Sequence, residues 1–342
     1  MSVFQNTIAR SVEPRVRVIC DNDFQGDPDG LIQLAHLLLS DSVDIRAIIG
    51  SHLGSYDGDE NPFYDLPAPE ATGLGQLFNP SAHAAVVAAN KIVELCALTN
   101  SVPVLSGSDS SMASVAEAAD SEGARFIIAE AMRDDTDLPL YVLCGAGLTS
   151  VATAILLEPR IVGRFTLVWI GGSEYPGVFV PKNAPACEYN LNTDITAAQV
   201  VFNHSNLDIW QIPRDVYRQT LISKYELIMR MRSQGELGRH LYDSVYDLID
   251  FMAKVGVHSG ESYVLGDSPL VLVTALQTTF EPDSASSFHE IRPCPRINDD
   301  GTYNFDVPGR DIRVYTRVDN RLMFEDFFSK LAFFDQTRGS VA

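Results

Sequence analysis

Short apolar runs alternate with longer segments of helical period along most of the chain. The runs of strand length cover residues 16–20, 45–49, 102–105, 139–144, 165–170 and 207–212. The segments with apolar residues at helical spacing cover residues 31–39, 84–98, 114–132, 150–157 and 195–202. Strands that alternate with helices in this way are typical of a parallel sheet covered by helices on both faces. We therefore predict an α/β fold with an open, mostly parallel, Rossmann-like sheet.

The pattern changes in the last third of the chain. Residues 216–256 look mainly helical with a break near 235–238, and a short strand over 312–315 precedes a last helix over 322–334. We expect these segments to add C-terminal helices and short strands to the sheet. No linker, charge block or repeat marks a boundary, so we predict a single domain over 1–342 in which residues 1–14 are an N-terminal extension.

Composition and charge limit the partners of the protein. The chain has 342 residues, of which 46% are hydrophobic, and this is enough to bury a large core. Its formal net charge of -20 would repel nucleic acid and anionic membranes. We therefore expect a small-molecule ligand or a cation, and neither nucleic acid nor a membrane as partner.

The cysteines and the N-terminal residues suggest a cellular compartment. The five cysteines are odd in number, form no CxxC pair and lie mostly in apolar stretches, which is typical of reduced, buried thiols. Residues 1–14 contain no apolar run of signal-peptide length, and no eighteen apolar residues run together anywhere. These features predict a cytoplasmic protein.

Chemically suggestive residues follow the first strand. In open parallel sheets, ligands bind beyond the carboxyl ends of the strands, so the residues just after each strand are the candidates. The segment "DNDFQGDPDG" (21–30) places Asp21, Asp23, Asp27 and Asp29 at such a position. The long segment 51–80 has no clear period and also follows a strand; a loop of that length in a compact domain is usually functional or mobile.

The first interpretation of this loop is a solvated turn with a helix N-cap, because aspartate complements the helix dipole and Pro28-Asp29-Gly30 is favourable in turns. The second is a calcium loop of the EF-hand type, whose first half it matches. However, Ile32 stands where that loop needs Glu, and a strand rather than a helix precedes it.

Two further interpretations involve catalysis. A phosphotransferase of the haloacid-dehalogenase type has an aspartyl nucleophile in a D-x-D after its first strand, but Gln25 stands where those enzymes usually carry Thr or Val. The fourth interpretation is a divalent metal site of hard oxygen ligands. Clustered carboxylates repel one another unless a cation neutralises them, so only this interpretation makes use of the charge density.

The loop resembles the opening motif D-x-D-x-x-x-D-D of the inosine/uridine-preferring nucleoside hydrolases, and the rest of the chain extends the resemblance in family order from about residue 16 to 273. The other similar segments are "ANKIVELCALTNSVPVLSGSD" (89–109), "LCGAGLTSVATAI" (143–155), "IGGSEYPG" (170–177), "PACEYN" (185–190) and "GDSPLVLV" (266–273). Each segment alone is a weak signal, but their order and spacing together are a strong one. The resemblance identifies the chain as a divergent member with the nucleoside hydrolase fold.

The resemblance implies a calcium ion and assigns its ligands. Asp23 would be both a calcium ligand and the general base for the attacking water. Asp29 and Asp267 would complete the carboxylate shell, and the backbone carbonyl of Gly145, or of Cys144 instead, would add one oxygen. Asp21 matches the first aspartate of the family and is interpreted as structural.

The same resemblance assigns the residues that hold the ribose hydroxyls. These are Asp27, His52, Asn183, Glu188 and Asn190, of which the last two follow the family pattern "E-F-N" closely in "CEYN". Cleavage of an N-glycosidic bond passes through an oxocarbenium-like sugar, and an acidic pocket stabilises its positive charge.

The chain departs from the family pattern at several positions. Pro28 separates the adjacent aspartate pair, so the division of metal and sugar binding between Asp27 and Asp29 is inferred from helix phase. His52 replaces an asparagine, Gly145 replaces a threonine, and Asn183 is displaced by one position. Gly266 replaces the histidine that helps many family members to protonate the departing base, so the leaving-group acid is unassigned.

Two functions follow from these features. The first is hydrolysis of ribonucleosides or a related N-ribosyl compound to free base and ribose, by a calcium-bound water that Asp23 activates. The second is a non-catalytic ribose- or nucleoside-binding protein on the same fold, which the changes at Gly145 and Gly266 and the separated aspartate pair motivate. Family members tend to be homodimers or homotetramers, and we expect the same here.

Overall fold

Twelve strands and their helices are present in a computed structural model that describes residues 12–54, 81–182, 184–254, 256–277, 286–307 and 309–339. The strands in these ranges are β1 Val16–Asn22, β2 Val43–Gly50, β3 Val104–Ser106, β4 Leu140–Cys144, β5 Thr166–Ile170, β6 Asp208–Ile212, β7 Leu221–Ser223, β8 Ser262–Val264, β9 Phe288–Pro293, β10 Arg296–Ile297, β11 Tyr303–Asn304 and β12 Asp311–Arg317.

The α-helices of the same ranges connect these strands. They are α1 Asp29–Leu38, α2 Ala82–Leu95, α3 Glu122–Ala131, α4 Thr149–Leu157, α5 Tyr189–Thr193, α6 Ile195–Asn203, α7 Arg214–Tyr217, α8 Lys224–Arg230, α9 Gly235–Lys254, α10 Pro269–Leu272 and α11 Asn320–Gly339.

Eight of the strands form one sheet in the order β3-β2-β1-β4-β5-β6-β12-β9. Neighbouring strands are parallel except for β12 and β9, which are antiparallel. Two small antiparallel pairs, β7 with β8 and β10 with β11, lie outside this sheet. The predicted open, mostly parallel sheet is therefore confirmed.

The sheet separates two hydrophobic cores because successive strand side chains point to opposite faces. Along β1, Val18 and Cys20 belong to one core and Ile19 to the other, and all three are fully buried. The first core includes buried residues of α1, α2, α9 and α11, and the second includes those of α3, α4 and α6. Helices on both faces are what the alternating pattern predicts for a parallel sheet.

Two predicted helices were partly wrong. The helix predicted from residue 114 begins only at Glu122, because Ser121 has an extended backbone and its side chain accepts a hydrogen bond from the Ala124 N–H, which caps the helix there. The segment 216–256 is mainly helical as predicted, because α8 and α9 make up most of it, but it also contains β7. Its break lies at 231–234, so Gly235 begins α9 instead of interrupting a helix.

Other predicted features agree with the structure. The helix predicted over 195–202 is α6, and Asp194 caps it by accepting a hydrogen bond from the Ala197 N–H. The cysteines are free thiols, and all are buried except Cys187, which is half-buried. Within the described ranges, no helix combines the length and the apolar character needed to cross a membrane.

Candidate active site

The carboxyl ends of β1 and β4 meet at one edge of the sheet. Asp21 pairs with Cys144 in the parallel register, and the Gly145 N–H donates to the Asp21 carbonyl at 3.0 Å. Parallel neighbours end on the same side, so the loop after β1 and the turn after β4 face a common space. The predicted site residues Asp23 and Gly145 are thereby brought close together.

Pro28 gives Asp27 and Asp29 different positions. It is the N-cap of α1, with a φ of -67°, so that Asp29 becomes the first helical residue while Asp27 stays in the loop. The Asp29 Oδ2 accepts a hydrogen bond from the Asp267 N–H at 3.1 Å, and the Asp27 Oδ1 accepts one from the Tyr263 hydroxyl at 2.5 Å. The two aspartates therefore contact different residues of the segment 263–267, and they also bond to each other.

Asp23 and Asp267 are buried carboxylates, with 6% and 4% of their surfaces exposed. Burial raises the pKa of Asp23 well above its usual range, and the negative charges of Asp267, Asp27 and Asp21 raise it further. Burial also raises the pKa of Asp267, to about 7, against the opposing effect of a hydrogen bond from Asn22. The site thus concentrates negative charge in a place with little solvent.

Asn22 connects the loop to Asp267. Its Nδ2 donates to the Asp267 Oδ2 at 2.8 Å, and its Oδ1 accepts a hydrogen bond from the Asp23 N–H at 2.8 Å. A Cβ on Gly145 would lie 2.4 Å from that Nδ2 and 2.8 Å from the Asp267 Oδ2, so the site requires glycine there. Sequence reasoning missed Asn22, although its position between two candidate aspartates was a signal.

The chemistry of these donors fits a hard divalent cation. Calcium takes six to eight oxygen ligands, from carboxylates, carbonyls and water. Asp23, Asp29 and Asp267 supply carboxylates, and the Gly145 carbonyl accepts one hydrogen bond from the Asn190 Nδ2 at 3.1 Å, which leaves its second lone pair. In the described part of the chain, no three His, Cys, Asp or Glu side chains are grouped closely enough to hold a metal ion as they stand. The fit to calcium therefore rests on the chemistry of these donors.

Glu188 and Asn190 lie beside this cluster at the start of α5. The Glu188 Oε2 accepts hydrogen bonds from the Gly172 N–H at 2.7 Å and the Leu191 N–H at 3.1 Å, and its Oε1 accepts one from the Tyr217 hydroxyl at 2.8 Å. Its negative charge also contributes to the raised pKa of Asp267. The pair from "CEYN" is thus placed next to the aspartates.

The described contacts of His52, another predicted site residue, lie away from the cluster. The His52 ring contacts the Ser108 carbonyl at 3.0 Å and the Ser111 hydroxyl at 3.4 Å, and burial lowers its pKa. Its described contacts are with the loop after β3, so a bound ligand would have to reach both places. Asn183 lies outside the described residues.

Asp21 is fully buried beneath the site. The Ser51 hydroxyl donates to its Oδ1, and burial raises the pKa of Asp21 to about 6 against the effect of that hydrogen bond. This hydrogen bond connects the end of β1 to the residue that follows β2, which agrees with a structural role for Asp21.

Comparisons with known proteins were made for the whole chain. Residues 75–322 match the family described as inosine-uridine preferring nucleoside hydrolase. Proteins with that description from Leishmania major and Crithidia fasciculata are both 30% identical to the chain, over 134 and 138 residues. These alignments cover 39% and 37% of this chain and 40% and 41% of the relatives, so the chain spans about two fifths of their length.

A solved structure extends the similarity over the whole fold. The purine-preferring ribonucleoside hydrolase from Gardnerella vaginalis superimposes with a TM-score of 0.69 at 18% sequence identity, covering 94% of this chain and 99% of that one. At this identity the match shows the fold alone. The family match begins after the aspartate loop, so the role of that loop depends on its motif and on its geometry.

Proposed function

The chain belongs to the inosine-uridine preferring nucleoside hydrolase family, and from this membership we propose that it hydrolyses the N-glycosidic bond of ribonucleosides, or of a related N-ribosyl compound, to free base and ribose. The observation that carries the proposal is the convergence of distant acidic residues. Asp23 and Asp27 come from the loop after β1 and Asp29 from the start of α1, whereas Asp267 precedes α10 and Glu188 precedes α5.

The proposed roles follow from the position of each carboxylate. Asp23 takes a proton from the attacking water, a role that a carboxylate within hydrogen-bonding reach of that water can fill. Water attacks C1′ as the bond from C1′ to the base nitrogen breaks. The surrounding carboxylates stabilise the positive charge that develops on the sugar.

The contacts of Asp27 and Asp29 support the division of their roles. Asp29 bonds to the backbone of Asp267, so both belong to the proposed calcium ligands together with Asp23 and the Gly145 carbonyl. Asp27 is exposed and points to Tyr263 instead, which suits a contact with a ribose hydroxyl. Calcium, when bound, supplies positive charge that offsets these carboxylates and favours loss of a proton from water.

Glu188 and Asn190 are the other ribose ligands in this proposal. Both side chains are largely buried, at 1% and 8% exposed, and both are held by hydrogen bonds to the ends of the strands and their turns. Such fixed polar groups can orient a sugar without a large loss of side-chain entropy. His52 and Asn183 stay predictions as ribose ligands.

A nucleoside panel tests the proposed function. The purified protein is incubated with inosine, adenosine, uridine, cytidine and nicotinamide riboside after treatment with EDTA, and again after calcium is restored, and the free base is measured. We expect base release from at least one substrate, and only with calcium. Tight nucleoside binding without release of any base would instead support the ribose-binding alternative.

The assembly of the protein is a separate part of the proposal. We expect a homodimer or a homotetramer, which light scattering on the purified protein measures directly. A mass of one chain across the concentrations used for the activity assay would contradict this expectation.

A further inference from the structure

Two tyrosines near the candidate site are carried by one small structural unit. Tyr217 ends α7, and Tyr263 lies in β8, which pairs with β7. The Thr220 N–H donates to the Tyr217 carbonyl at 3.1 Å, and the Leu265 N–H donates to the Thr220 carbonyl at 3.0 Å. These bonds connect the chain around both tyrosines, so their rings are positioned relative to each other by the backbone.

Tyr217 fixes the orientation of Glu188. Its hydroxyl donates to Oε1, while Oε2 is held by the N–H groups of Gly172 and Leu191. A carboxylate has about four acceptor positions, so three of them are used by the protein and one on Oε1 remains. The tyrosine therefore determines the direction in which the remaining lone pair points.

Tyr263 fixes the orientation of Asp27 in the same manner. The Asp27 Oδ1 accepts hydrogen bonds from the Tyr263 hydroxyl at 2.5 Å and from the Asp29 N–H at 3.2 Å. The Asp29 side chain also bonds to the Asp27 carboxylate, so the tyrosine and the start of α1 together hold that carboxylate in place. Asp27 is exposed, and without the tyrosine its carboxylate would have more rotational freedom.

Gly266 lies next to this arrangement. A Cβ at this position would lie 3.4 Å from the Tyr217 Cδ2 and 3.1 Å from the Asp29 Oδ2. The first distance is an ordinary van der Waals contact, and at the second the Asp29 carboxylate would have to shift by a few tenths of an ångström. The Tyr217 ring therefore lies beside the proposed calcium ligands while its hydroxyl reaches Glu188.

We propose that Tyr217 and Tyr263 form a tyrosine clamp, a pair of positioning residues that orient Glu188 and Asp27 to accept ribose hydroxyls. The inference rests on the proposed function, because that proposal makes these two carboxylates ribose ligands. Each tyrosine acts through its carboxylate. A hydrogen bond to a charged group, once lost, changes an equilibrium by about ten- to a hundredfold.

The expected effect depends on the substrate. Tyr217→Phe and Tyr263→Phe each keep the ring and remove the hydroxyl, so we expect kcat/KM for inosine to fall by about ten- to a hundredfold. A deoxy analogue lacks the hydroxyl that the misoriented carboxylate would bind. For each variant, the loss should therefore be several times smaller on either 2′-deoxyinosine or 3′-deoxyinosine than on inosine.

The experiment measures base release and calorimetric binding of inosine, 2′-deoxyinosine and 3′-deoxyinosine by the wild-type protein and both variants. The matched control is Tyr225→Phe, whose residue is 65% exposed on α8 and should give wild-type values. Thermal unfolding of each variant verifies that it is folded. Equal losses on all three substrates, or no loss on any, would overturn the tyrosine clamp.

The two proposals can fail separately. If the wild-type protein binds inosine but releases no base, the hydrolase proposal fails and the binding constants of the variants still test the clamp. If the wild-type protein hydrolyses inosine and the variants lose activity equally on all three substrates, only the clamp fails. If the wild-type protein binds none of the compounds of the nucleoside panel, both proposals fail.

Discussion

Asp23 is the residue on which the proposed chemistry depends most. It is nearly buried, next to Asp267, and its pKa is raised by burial and by the neighbouring carboxylates. We expect Asp23→Asn to lower kcat by at least about a hundred- to ten-thousandfold, because it removes the general base and weakens calcium binding. Steady-state kinetics check this, with Asp243→Asn on the exposed face of α9 as control. An equal loss of kcat in both variants would contradict the assignment of Asp23 as the general base.

Gly145 is required at the site by close packing. A Cβ there would lie 2.4 Å from the Asn22 Nδ2, whereas a Cβ on Gly260 would meet nothing within 4 Å. We expect Gly145→Ala to weaken calcium binding by about tenfold or more, because it displaces Asn22 and Asp267, and Gly260→Ala to leave it unchanged. Calorimetric titration with calcium compares the two, and equal affinities would refute this account of Gly145.

At the scale of elements, His36 joins α1 to α11. It is 1% exposed, its Nε2 lies 2.8 Å from the Asp326 Oδ2, and its ring packs against Phe327. Burial lowers the pKa of His36 from 6.5 to about 4, in spite of the hydrogen bond to Asp326. The histidine is therefore neutral in the folded protein over a range in which the unfolded chain binds a proton.

The pH dependence of stability follows from this shift. Above about pH 6.5 His36 is neutral in both the folded and the unfolded state, and its contribution to the free energy of unfolding is complete. As the pH falls from about 6.5 to about 4, only the unfolded state gains the proton, so the free energy of unfolding decreases, by on the order of 3 kcal/mol in total. We expect His36→Gln to lose less stability than the wild type over this range.

Urea unfolding at several pH values measures this difference. His258→Gln is the matched control, because His258 is exposed. The control should follow the wild-type curve. A His36→Gln curve parallel to the wild type between about pH 6.5 and 4 would show that His36 does not make this contribution.

At the scale of the whole molecule, the C-terminal residues are part of the main sheet. β12 lies between β6 and β9, and α11 contributes Met323, Phe327 and Leu331 to the core that also contains α1. The last strands and the last helix therefore share a core with the first ones. This arrangement supports the prediction of a single domain, which is still to be tested in solution.

Phe327→Ala tests that prediction. Removing a fully buried phenylalanine typically costs about 3–5 kcal/mol. If the chain unfolds as one unit, the change in α11 should lower the midpoint of unfolding equally by tryptophan fluorescence, which reports on Trp169 in β5 and Trp210 in β6, and by far-ultraviolet circular dichroism. Phe179→Ala, at a residue 81% exposed, should leave the midpoint unchanged. Two separate transitions would contradict a single domain.

Local pattern was sufficient for much of the fold. The strands that end at the site were predicted from short apolar runs, because buried parallel strands are apolar on both faces and this property is local. Strand β9 was missed, because its side chains are mostly exposed and the strand is defined by its pairing with β12. Strand β7 was missed for a similar reason, since it exists through its pairing with the distant β8.

For the candidate site, the sequence by itself determined the acidic loop, its place at the end of a strand and the family to which its motifs belong. Only the tertiary structure decided which side chains form hydrogen bonds to the carboxylates of the site. The contacts of Asn22 with Asp267, of Tyr217 with Glu188 and of Tyr263 with Asp27 join residues that are far apart in the chain. Hydrogen-bond partners of this kind depend on the way the strands and loops are brought together in space, and no local periodicity contains that information.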